Sequence, residues 1–90
     1  MRELYIKISP IILNYSGAII ENGKVEKELT TIPAQPFDLA NFILENNIEK
    51  VSLFGNTKYT TGVQSMLNNE LNNITQYSIL IPVELKEIDG

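Results

Sequence analysis

Val51-Ser-Leu-Phe-Gly-Asn-Thr-Lys-Tyr-Thr-Thr-Gly62 is the stretch that decides the fold. Val51 to Phe54 is a short, nearly all-apolar run, the composition of a central strand covered on both faces. Gly55 closes it, and Thr61-x-x-Gln64 has the capping-box spacing that opens a helix. Val63, Met66, Leu67, Leu71 and Ile74 then recur at helical intervals, with Asn68, Asn69, Asn72 and Asn73 on the polar side. A second strand-like run follows, from Tyr77 to Val83. Between Ile48 and Ile81 the order is therefore strand, loop, helix, strand, which predicts a parallel β-α-β unit.

Working outward toward the N-terminus, Pro36 stands where a first helical residue is favoured and Asp38 complements the dipole of the first turn. Leu39, Ala40, Phe42, Ile43 and Leu44 give that helix its apolar side, Phe37 is placed to staple its start, and Asn46-Asn47 stops it. Asn22-Gly23, between Ala18–Glu21 and Lys24–Thr30, is a type I′ hairpin signal because both residues accept positive φ. Leu4, Ile6 and Ile8 alternate with Tyr5, Lys7 and Ser9, a strand with one face on the core. Pro10 interrupts this run, marking an edge, a bulge or the end of pairing.

Three strands joined by short links form an antiparallel meander, and strands reached through helices run parallel by right-handed crossovers. The expected fold is α/β, a mixed five-stranded sheet in which the meander is followed by α-β-α-β. Residues 1–84 make one domain, and 85–90 read as a flexible acidic C-terminal tail. The element order, the Asn22-Gly23 hairpin and the Val51-to-Asn56 strand before a capped helix resemble the ribonuclease H-like fold, shared with the actin-like and sugar-kinase ATPases. That resemblance implies a ribonuclease H-like topology. It also implies metal-binding acids in the first strand, the first helix and after the fourth strand. The corresponding positions here are Lys7 and Ser9, Glu45, and Gly55-Asn56. The actin-like proteins add an acidic phosphate loop in the first hairpin, whereas Ser9 to Gly17 contains no Asp. They also use a second such domain.

Composition narrows the function further. The chain has 90 residues, 43% of them hydrophobic and 20% charged, with a net charge of −4. That is an ordinary folded composition with a thin stability margin, which oligomerisation would widen. Its seven basic residues are scattered, so the clustered Lys and Arg that bind a phosphate backbone are missing, and nucleic acid is not expected as a partner. Neither His nor Cys occurs, which removes the usual near-neutral base, thiolate nucleophiles and the commonest transition-metal ligands. No apolar run reaches membrane-spanning length, so no membrane partner is expected and a cytoplasmic location is the default. The acidic trio Glu21, Glu26 and Glu28 alternates with Lys24 and Lys27, as on a solvated edge strand.

One stretch has anion-binding character. Gly55, Asn56, Thr57, Lys58, Thr60, Thr61 and Gly62 lead from the carboxyl end of a strand into a helix N-terminus, where amides and dipole favour a phosphate. The spacing lacks the Gly-Lys-Ser/Thr of a P-loop, and a simple capped loop is the commoner arrangement. Tyr5 and Tyr77 would share a binding face if their strands were neighbours. The expectation is a small non-enzymatic interaction or assembly module, of the kind viral or mobile elements use as accessory proteins. It would work through a protein partner or self-association, with no catalytic residues, no metal and no cofactor. The alternative is a phosphate- or nucleotide-binding protein using residues 55–62.

Overall fold

The meander and the β-α-β unit share one sheet. The computed structural model describes residues 1–9 and 14–87. Its elements are β1 (Arg2–Lys7), β2 (Asn14–Glu21), β3 (Lys24–Pro33), α1 (Pro36–Glu45), β4 (Lys50–Gly55), α2 (Thr57–Thr75) and β5 (Val83–Glu87). The strand order is β3-β2-β1-β4-β5. β1 pairs antiparallel with β2 and β2 with β3, while β1–β4 and β4–β5 are parallel. This five-stranded open mixed sheet is consistent with a ribonuclease H-like topology. Asn22 and Gly23 turn the hairpin with φ of 52° and 82°, the positive values that a type I′ turn requires.

Both crossovers, β3-α1-β4 and β4-α2-β5, advance across the sheet in the same direction. Right-handed connections moving the same way lay their helices on the same face. The core accordingly forms on one side. Leu4, Ile6, Ile19, Val51 and Leu53 from the sheet meet Leu39, Ala40 and Ile43 of α1 and Leu67 and Leu71 of α2. Register enforces this sidedness: Leu4 is level with Val51 and Ile6 with Leu53 in the parallel β1–β4 pair. Tyr5, Ser52 and Phe54 therefore point the other way. The strand expected to be covered on both faces has helices over only one.

Several boundaries differ from the sequence expectation; β2 begins at Asn14, not Ala18, and β3 runs on to Pro33. α2 begins at Thr57, not Thr61, because Asn56 caps it first: its Oδ1 accepts from the Lys58 N–H at 2.9 Å, and Asn is at least as good a cap as Thr. The last strand starts at Val83 instead of Tyr77. Gln76 and Tyr77 end the 19-residue α2 in left-handed conformations, φ 55° and 62°, and the chain needs Ser78–Pro82 to return to the sheet. Pairing resumes where the Val51 N–H donates to the Pro82 carbonyl at 2.9 Å. Residues 85–87, assigned by sequence to the tail, pair with Leu53–Gly55. Residues 88–90 of that tail, and the interruption at Pro10, lie outside the described residues. Phe37, expected as a staple, is the second helical residue and is exposed.

An unforeseen knot of charge closes the meander onto α1. Arg2 Nε donates to the Asn46 carbonyl at the C-terminal end of α1 at 2.6 Å, and its Nη1 donates to Glu26 Oε2. Glu21 Oε2 stands 3.9 Å from the same Nη1, buried and without a hydrogen-bond partner. A guanidinium at a helix C-terminus complements the dipole while its planar fork serves several acceptors. Two of the three acids weighed as an edge face, Glu21 and Glu26, thus gather around Arg2.

Candidate functional site

The residues 55–62 come together, but mostly as helix instead of loop. Gly55 ends β4 with φ 151°, a conformation suited to glycine, and a Cβ there would stand 3.2 Å from the Ile8 carbonyl oxygen. The Asn56 side chain engages the Lys58 N–H, and the Asn56 carbonyl accepts from Tyr59 N at 2.9 Å and Thr60 N at 3.1 Å. Three of the first four amides of α2 are therefore already bonded, leaving Thr57. Thr60 is buried, with its hydroxyl on the Asn56 carbonyl at 3.3 Å, and the Thr61 hydroxyl bonds the Thr57 carbonyl at 2.8 Å. Both hydroxyls are directed back along the helix. Lys58 and Gly62 are exposed, and a Cβ at Gly62 would meet nothing within 4 Å.

The more distinctive surface is the sheet face that the helices leave bare. Along β1 it presents Tyr5 and Lys7, along β2 Ala18, along β4 Ser52 and Phe54, and along β5 Glu84 and Lys86, as the paired registers require. Tyr5 and Phe54 lie diagonally across β1 and β4 with ring centroids 5.3 Å apart and a 53° tilt, within the favourable range for aromatic pairs. Their rings, with Lys7, Gly17 and Ala18, line a shallow depression of 260 Å³. Beside it Lys50 and Lys86 each stand 3.2 Å from Glu84 Oε2. The hydrogen bonds from Lys50 and then Lys86 hold the Glu84 carboxyl below the usual carboxylate range.

Tyr77, which would share a face with Tyr5 only if their strands were neighbours, sits instead in the α2–β5 connection and is 78% exposed. Phe54 takes its place as the partner of Tyr5. The sequence carried that signal in the alternation of β1, but the β1–β4 register was needed to bring the two rings together.

A second cavity, 150 Å³, opens between α1 and α2, lined by Tyr15, Leu39, Met66 and other apolar groups. Burial raises the pKa of the Tyr15 hydroxyl. Among the described residues, no three carboxylates converge as a metal site. No helix among them is long and apolar enough to cross a membrane. The chain matches no protein-family model and no curated protein sequence.

Proposed function

We propose that this chain is a non-enzymatic interaction module whose working surface is the bare sheet face. One observation carries the reading: both helices pack on one side, so the Tyr5–Phe54 pair and the depression beside it remain open on the other. Clustered aromatic surface rimmed by charge is the composition of a protein–protein contact. Phosphate or nucleotide binding at residues 55–62 has less support, since three of the first four amides of α2 already have partners within the chain.

The test is capture of partners from the native source by wild type and by Ala18→Arg, which sets a bulky charge in the depression. The expected result is a discrete partner retained by wild type and lost by the variant, at equal thermal stability. Identical capture by the two, or none by wild type, would overturn the reading.

A further inference from the structure

The two edges of the sheet differ in how they are closed to other chains. β3 shows the usual guards: a row of exposed charges, Pro33 at its end, and register irregularities against β2 between Tyr15 and Gly17 and between Ile19 and Ile20. β5 runs in unbroken register with β4 and ends the sheet on the other side.

Its free groups follow from strand geometry. Pro82 gives its carbonyl to Val51, so residues 82, 84 and 86 direct their backbone groups toward β4 while 83, 85 and 87 direct theirs outward. The Gln64 side chain, which donates to the Val83 carbonyl at 2.8 Å, agrees with that orientation and already fills that acceptor, so the open pairing position is Leu85. Leu85, the middle residue of Val83-Glu-Leu-Lys-Glu87, thus offers both its N–H and its C=O to the outside.

We propose that β5 pairs antiparallel with β5 of a second copy, about a two-fold axis through Leu85. Leu85 and its counterpart exchange both backbone bonds, as a hydrogen-bonded antiparallel pair does. The strand is then self-complementary in charge: Glu84 of each copy lies directly opposite Lys86 of the other, on the bare face. The existing Lys86–Glu84 contact of 3.2 Å becomes part of an alternating ring of four charges. Half-buried Leu85 gains its own copy as a neighbour on the helix side. The result is a closed isologous dimer with one continuous ten-stranded sheet. This inference rests on the interaction-module reading and names a second copy as one partner.

Sedimentation velocity on the full chain at rising concentration and low salt tests it. Wild type is expected to move from monomer to dimer. Glu84→Lys and Lys86→Glu should each dimerise roughly thirtyfold more weakly, because both crossing pairs become like-charged. An equimolar mixture of the two variants should regain dimerisation as a heterodimer, since Lys then faces Glu at both positions; a purely intrachain role for Glu84 would not produce this. Ala18→Arg should dimerise like wild type, so loss of its captured partner and loss of the dimer report separately. Wild type that remains monomeric, single variants that dimerise normally, or a mixture that stays monomeric would each overturn the β5 pairing.

Discussion

Leu53 and Phe54 are neighbours in the chain and occupy opposite faces of one sheet. Leu53 is completely buried under the helices, whereas Phe54 shares an open face with Tyr5. The same strand thus carries the core on one side and a sheet surface without helices on the other. The contrast teaches that the apolar run in β4 had two separate causes, burial under helices and packing of side chains along a bare sheet.

The sharpest break of this comparison is Leu53→Ala, expected to cost about 3 kcal/mol through lost burial and the cavity left behind, measured by urea denaturation. A loss below about 1 kcal/mol would mean that the helix side is loosely packed. Next comes Gly17→Ala. A Cβ at Gly17 would lie 1.8 Å from the Tyr5 carbonyl oxygen, so β1 and β2 must separate, at a cost of about 2 kcal/mol or more. Phe54→Ala should cost less, about 1 kcal/mol, chiefly the ring contact with Tyr5. If it matched Leu53→Ala, the two faces would be energetically alike.

The smallest effect concerns acid. The folded-state pKa of Glu84 is lowered, so its contribution is present above the ordinary value of 4.5 and is lost as pH falls through the folded value. At low protein concentration, Glu84→Gln should melt slightly below wild type at neutral pH, and the two curves should converge below pH 4.5. A constant gap across that range would show that the carboxylate's charge is not what stabilises the folded chain.

Most of the fold was legible because its signals are local. Asn22-Gly23 specifies a turn by its allowed φ values, and the alternation of Leu4, Ile6 and Ile8 specifies a buried face; both appear as expected. The start of α2 was misplaced because Asn56 and Thr61 are both plausible caps, and only the burial of Thr60 against the sheet selects the earlier one. Tyr77 to Ile81 has strand composition, yet Leu80 is 87% exposed, since where a strand begins depends on the reach of the preceding helix. The candidate site was least legible. Caps and anion sites draw on the same residues, and only the hydrogen-bond partners of the amides separate them. The Tyr5–Phe54 pair depends on a register between strands far apart in sequence, which no local pattern encodes.

That distant register also bears on synthesis. β1 is made first yet lies at the centre of the sheet, and its parallel neighbour comes late: the Arg2 amide meets a side chain of Glu49, 47 residues downstream. Until β4 emerges, the nascent chain can complete only the meander, with one side of β1 lacking its neighbour. At roughly 5–20 residues per second, that interval lasts a few seconds. During it, the strand that later holds the middle of the sheet is itself an open edge, with its unpaired backbone groups exposed to other chains.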